Sequence, residues 1–141
     1  MFRDAGCELV VHAGDVIAPF TARELEKAGC PVRAVFGNCD GERDGLRAVF
    51  NPLGGIYEEP HIFDYYGEKY LLTHRHEKIP ALLKKHSPGV LIYGHTHQPD
   101  SRIEGGTLVI NPGEAGGWLS GRSTAAIFNP ETREVEIISL A

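Results

Sequence analysis

At 141 residues the chain is one domain by length, large enough to bury a core without disulfide staples. Its 42% hydrophobic and 23% charged residues are an ordinary globular balance, and a net charge of −5 gives no field for holding nucleic-acid polymers. No apolar run approaches the ~20 residues that span a bilayer, no signal-peptide pattern opens the chain, and the scattered Cys7, Cys30 and Cys39 fit a reducing, cytoplasmic setting.

In chain order, residues 8–12 read as a buried strand and residues 21–28 as a helix stopped by Gly29, which tolerates the left-handed conformation after a helix end. Residues 32–36 form a second strand, and Asp44 is placed to cap a short helix through Phe50. Buried apolar strands alternating with helices predict a parallel sheet. Residues 61–65 and 68–73 flank Tyr66-Gly67 as a hairpin. A helix over 80–86 starts on Pro80, and 90–93 is a further buried strand. Residues 102–104 and 107–111 pair across Gly105-Gly106, and 125–128 with 134–139 across Asn129-Pro130. In the last strand Val135 and Ile137 alternate with Glu134 and Glu136, which predicts one wet face. The sum is an α/β fold mixing parallel and antiparallel strands, in a single domain over 1–141.

Four polar clusters each trail one of these apolar runs. They are His12-Ala13-Gly14-Asp15, Gly37-Asn38-Cys39-Asp40, Thr73-His74-Arg75-His76 and Gly94-His95-Thr96-His97. Taken singly, Gly-Asp and Gly-Asn are turn signals, and a lone His after a strand is usually a satisfied core or surface residue. Four in order describe strands delivering Asp, Asn and His to one sheet edge, where parallel sheets place their sites. Carboxylate, amide oxygen and imidazole suit Mn, Fe, Zn or Ni better than Ca. Alternation would set His95 and His97 on one side of an extended segment, and would give His76 the face of His74 if that backbone stays extended.

The series Gly14-Asp15, Gly37-Asn38-Cys39-Asp40, His74 and Gly94-His95-Thr96-His97 runs on into Gly41-Glu42-Arg43 and Ile110-Asn111-Pro112-Gly113. It closely resembles the metallophosphoesterase (calcineurin-like) superfamily, in particular its small single-domain phosphodiesterases of bacteria and archaea. The resemblance implies a two-sheet α-β-β-α sandwich and a phosphodiesterase hydrolysing phosphate esters with metal-activated water. It implies that Asp15 bridges two metals, that Asn38, His74 and His95 serve the second, and that His97 serves the first. Asn38, Cys39 and His76 are the candidate catalytic residues. Cys39 stands where many relatives carry a histidine that protonates the leaving group. A thiol of pKa ~8.5 suits that role poorly at neutral pH, which argues against an efficient phosphomonoesterase. Asp40 is expected either to orient a ligand histidine or to cap the following turn, and His76 either to contact substrate or to lie in solvent. Arg75, where relatives often have glycine, would contact phosphate or obstruct the pocket. Asn111-Pro112-Gly113-Glu114 reads as an ordinary Asn-Pro turn, and Trp118 as a loop residue open to a substrate base or a partner.

One family feature is lacking: no Asp-x-His stands ahead of Asp15. A βαβ unit takes about 30 residues, and only 14 precede Asp15. The first strand and most of the first helix are therefore expected to be missing through N-terminal truncation, with residues 1–6 as at most a last helical turn. The second site would keep Asp15, Asn38, His74 and His95, and the first only Asp15 and His97. One ion is then expected where the family binds two, Mn ahead of Ni, Zn or Fe, with weak or absent turnover. An uncovered strand edge invites a homodimer. The partners expected are a small phosphate-ester substrate, with no nucleic-acid polymer and no membrane. The alternative is a non-catalytic protein-interaction scaffold, since the retromer subunit of this fold works chiefly through protein contacts.

Overall fold

The computed structural model describes residues 1–140. Its first half builds a parallel sheet in the order β1 (Val10–His12), β2 (Val32–Val35), β3 (Gly54–Tyr57), with Val10 beside Val32 and Val32 beside Gly54. Helices α1 (Thr21–Glu26) and α2 (Arg43–Phe50) connect these strands. Strand side chains alternate faces, so Val32 and Ala34 meet Ala22, Leu46 and Phe50 beneath the helices, while Val35 points the other way. Val32, Leu46 and Phe50 are fully buried, each contributing about 1.5–3 kcal/mol relative to exposure.

The second half gives a mixed five-stranded sheet from β4 (His61–Tyr65), β5 (Glu68–Leu72), β6 (Val90–Ile92), β7 (Pro99–Glu104) and β8 (Thr107–Pro112), in the order β4-β5-β6-β8-β7. Helix α3 (Ile79–His86) sets Ile79 and Leu82 on its outer face, against Leu71, Leu91 and Val109. Its inner face, with Phe63, Tyr70, Leu72, Leu108 and Ile110, packs on Ala13 and Val35 of the first sheet's side. An antiparallel pair, β9 (Thr124–Phe128) and β10 (Val135–Ser139), adds Ala126, Phe128 and Val135 to that central core. The layers run helices, sheet, sheet, helix, the expected sandwich of mixed parallel and antiparallel strands.

Several local expectations change. β3 has no signal in the sequence, because Gly54-Gly55 opens it and it exists by pairing with β2. Asp44 does not cap α2: the helix starts at Arg43, Glu42 holds the cap position without a side-chain bond, and Asp44 meets Arg47 within the first turns. A short 3-10 helix over His76–Lys78 leads into α3, so the backbone after Arg75 is not extended. β10 has no clean wet and dry face, for Ile137 is exposed and Ile138 half-buried. Residues 1–7 form a hydrogen-bonded turn, with the Ala5 N–H donating to the Met1 carbonyl at 2.9 Å.

Candidate metal centre

The loops after β1, β2, β5 and β6 converge where the two large sheets meet. Asp15 follows β1, Asn38 follows β2, His74 follows β5 and His95 follows β6. Their polar atoms touch: His74 Nε2 lies 2.7 Å from Asn38 Oδ1 and 3.4 Å from Asp15 Oδ2. His95 Nδ1 lies 3.1 Å from Asn38 Oδ1 and 3.2 Å from His74 Nε2. Such approach needs bare backbone. A Cβ on Gly14 would sit 2.6 Å from His74 Nδ1, and one on Gly37 would sit 2.1 Å from Asp15 Oδ1.

Hydrogen bonds decide what each donor presents. His74 is 2% exposed, and its Nδ1 donates to the Ala13 carbonyl at 2.8 Å, which turns Nε2 toward the cluster. The Asn38 amide nitrogen reaches the Cys39 sulfur at 3.5 Å, which turns Oδ1 inward. Asp15 Oδ1 accepts the Cys39 N–H at 2.9 Å, so Oδ2 is the free oxygen. The oxygens of Asp15 and Asn38 thus face two imidazoles, a donor set that a cation among them would satisfy. First-row divalent ions hold nitrogen and oxygen at about 2.0–2.2 Å, so donors sharing one ion stand about 3–3.5 Å apart. The four contacts lie close to that, with Asp15 reaching His95 only through His74, and the donor set fits a transition metal.

The loops are braced by residues behind the donors. Asp40, 3% exposed, accepts the N–H groups of Asp15 at 2.9 Å, Ile17 at 2.7 Å and Gly37 at 2.8 Å. It therefore neither orients a ligand histidine nor merely caps its own turn; it knots the Asp15 and Asn38 loops together. Ile17, a β-branched residue at φ 73°, is held in the left-handed region by this contact, a strain of about 1–3 kcal/mol. Asn111 is fully buried and donates to the Gly94 carbonyl at 3.2 Å and the Thr96 hydroxyl at 2.9 Å, so it is no ordinary turn residue. Glu59 accepts from the Thr73 hydroxyl, from the His74 and Arg75 N–H groups and from Lys78. Burial pushes its carboxyl up, but the Lys78 contact and these donors outweigh it and hold it at about 2. Sequence reasoning passed over Glu59, because a carboxylate in a Glu-Glu-Pro turn carries no local signal.

Other predicted residues stand differently. His95 at φ 66° and His97 at φ 60° are both left-handed, so the segment is a turn rather than an extended strand and the two imidazoles do not share a face. His97 points to Glu114 instead, its Nδ1 3.6 Å from Oε2. Cys39 is exposed and joins the cluster through its backbone N–H. His76 does not reach its position by strand alternation, yet its ring stacks on His95 with centroids 5.7 Å apart. His76, Glu77 and His95 offer ligand atoms within 4.8 Å of one another, which extends the polar surface around the cluster. Arg75 lies over Glu59 and Glu77, at 3.9 and 3.5 Å. Trp118 is 90% exposed on its loop.

Residues 1–133 match the pattern of the calcineurin-like phosphoesterase superfamily domain, and the chain belongs to that family and is a phosphoesterase by class. It is 35% identical over 147 residues to a phosphodiesterase of Methanocaldococcus jannaschii, covering 99% of this chain and 87% of the relative. A phosphodiesterase of Escherichia coli K12 is 32% identical over 130 residues, covering 80% of this chain and 67% of that one. A solved archaeal phosphodiesterase superposes with a TM-score of 0.91 at 33% identity, over 99% of this chain and 87% of that one. Vacuolar Protein Sorting 29 of Cryptosporidium parvum shares the fold at a TM-score of 0.66 and 17% identity, over 95% and 82%. Among the described residues no helix is long and apolar enough to cross a membrane.

Proposed function

We propose that the chain is a metal-dependent phosphodiesterase that holds one divalent ion, Mn ahead of Ni, Zn or Fe, on Asp15, Asn38, His74 and His95. The observation that supports this reading is a chain of contacts of 2.7–3.4 Å that links ligand atoms from four separate loops, with His74 between Asp15 and His95. When bound, such an ion polarises a phosphoryl oxygen and makes water a better nucleophile. The protein's own part is positioning. Glu59 and Asn111 fix the loops carrying His74 and His95, and Asp40 fixes those carrying Asp15 and Asn38. His76 stacks on His95 and would meet a substrate oxygen there. His97 is paired with Glu114, and slow turnover on a single ion is the expected outcome. The substrate is a small phosphate ester met in the cytoplasm.

The test is Mn-dependent hydrolysis of a chromogenic bis-aryl phosphodiester by this chain. Slow turnover that needs Mn and disappears in His95→Ala is the expected result; turnover indifferent to both Mn and His95 would overturn it. A second reading, a protein-contact scaffold, draws on the exposed pair Trp118 and Leu119. Intact folding with metal bound and no detectable turnover would select it.

A further inference from the structure

Two residues between Asp15 and α1 are choices that folding does not reward. Ile17 stands two residues beyond the donor Asp15, at φ 73°, and is 65% exposed. A β-branched side chain is among the costliest in left-handed backbone, where Asn or Gly sits with little strain. Phe20, 73% exposed, holds the cap position of α1 without a side-chain bond. Ser, Thr, Asn or Asp there would bond the free N–H groups of the helix start. On the same stretch Val16 joins Ala22 in the core beneath α1, so the chain turns Val16 in and leaves Ile17 and Phe20 out. Single apolar residues scattered over a surface need no explanation. These two share the loop that delivers a metal ligand, and each displaces a residue better suited to its backbone.

The loop is also held still. The Ile17 N–H donates to Asp40 at 2.7 Å, and the same carboxylate takes the Asp15 N–H at 2.9 Å, so one side chain fixes the apolar residue and the donor together. The Ala18 N–H donates to the Val16 carbonyl at 2.9 Å, and the Thr21 N–H to the Ala18 carbonyl at 3.1 Å. Pro19 packs on the first turn of α2, its ring 3.3 Å from where a Cβ on Gly45 would stand. Backbone strain that the surroundings hold in place clusters at ligand sites. A braced apolar surface also binds without the cost of ordering a loop.

Building on the metal centre proposed above, we propose that Ile17 and Phe20 form its apolar lip and receive an aromatic group esterified to the phosphate of the substrate. The phosphate oxygens would meet the donor cluster, and the ring would lie against Phe20 and Ile17, gaining apolar burial and aromatic contact. Small or polar ester groups gain neither. The lip therefore sets substrate preference and leaves the chemistry to the donors. Another exposed apolar pair, Trp118 and Leu119, is tied to His97 through Glu114, which accepts the Leu119 N–H at 3.0 Å. That loop is the rival for the same ring.

The experiment measures binding of phenylphosphonate and methylphosphonate to the full chain with saturating Mn, by calorimetry. Neither compound has an ester bond to hydrolyse, so the readout does not depend on turnover. Phenylphosphonate should bind about ten-fold more tightly, the scale of a small apolar contact. In Ile17→Asn with Phe20→Ser the preference should fall to about one. Phe20→Ser alone, away from the left-handed backbone, should give an intermediate value. A Mn-induced rise in melting temperature should persist in both variants, which a collapse of the loop would remove. Trp118→Ala should keep the preference. Equal, Mn-dependent binding of the two phosphonates overturns the lip and leaves the metal centre standing. Absent binding, or binding indifferent to Mn and to His95→Ala, overturns both. A preference lost in Trp118→Ala and kept in the double variant assigns the ring to the loop after β8 and overturns the lip as well.

Discussion

Asn111 and Thr96 are joined by a 2.9 Å hydrogen bond that ties the loop carrying His95 to the end of β8. The same amide holds the Gly94 carbonyl, while the Asn111 Oδ1 takes the Gly113 N–H, so a fully buried side chain spends its bonding capacity on backbone placement. Asn111→Ala strands these groups at a cost of about 1–3 kcal/mol. Metal affinity should fall ~10–100-fold as well, the usual penalty for losing a residue that orients a ligand. Denaturant melts and titration calorimetry measure the two effects separately; unchanged affinity would uncouple Asn111 from the donor cluster.

Saturating Mn should raise the melting temperature of the chain, since an ion bound only by the folded state at 100 times its Kd adds about 2.7 kcal/mol. His74→Ala or Asn38→Ala should abolish that shift. A shift that survives both substitutions would place the ion elsewhere, with His76 and Glu77 the next residues to change.

Asp40→Asn should be more damaging than a surface carboxylate change. Both carboxylate oxygens are used, two N–H groups on one and one on the other, and an amide offers a single acceptor oxygen. The cost should be about 1–3 kcal/mol, with Ile17 relaxing out of its left-handed backbone. Chemical denaturation gives the first quantity and the exchange rate of the Ile17 amide the second.

The layered architecture was legible because its causes are local. Valine- and leucine-rich runs announced β1, β2, β5, β6 and β8, all but β5 leading into a glycine, and turn chemistry announced the hairpins. The donors Asp15, Asn38, His74 and His95 were legible as strand-end residues, and the structure brings their polar atoms together. What escaped was set by tertiary contact. β3 is two glycines and two apolar residues that become a strand only beside β2. Asn111 looked like half of an Asn-Pro turn, because its partners Gly94 and Thr96 lie 17 and 15 residues away in sequence. The His95–His97 segment obeyed alternation on paper, but both residues turn left-handed where the chain leaves β6.

Stability should fall as the pH drops below about 6.5. His61 accepts a hydrogen bond from Arg33 at 3.1 Å and stacks on Tyr57, and burial followed by the nearby guanidinium lowers its pKa. His12 is lowered too, chiefly by burial, against the opposing pull of Asp40 and Asp15. In both cases the unfolded chain binds a proton more readily, so the stabilisation is complete above the unfolded pKa of ~6.5 and is lost on acidification. His61→Phe keeps the stacking and removes one proton from the linkage. Its stability should therefore depend less steeply on pH between about 6.5 and 5, the remaining slope belonging to His12. Urea melts at several pH values in that window measure it, and an unaltered slope would acquit His61.

Asp15 and Asn38 hang from one sheet, whereas His74 and His95 hang from the other, 36 and 57 positions after Asn38. An ion seated among them is consequently a removable bolt through two plates. Its withdrawal would leave the plates joined by the packed central core and by the His74–Ala13 hydrogen bond. The chain's mechanical stiffness should then follow the free metal concentration around it, and chelation should loosen the seam between the layers well before either layer comes apart.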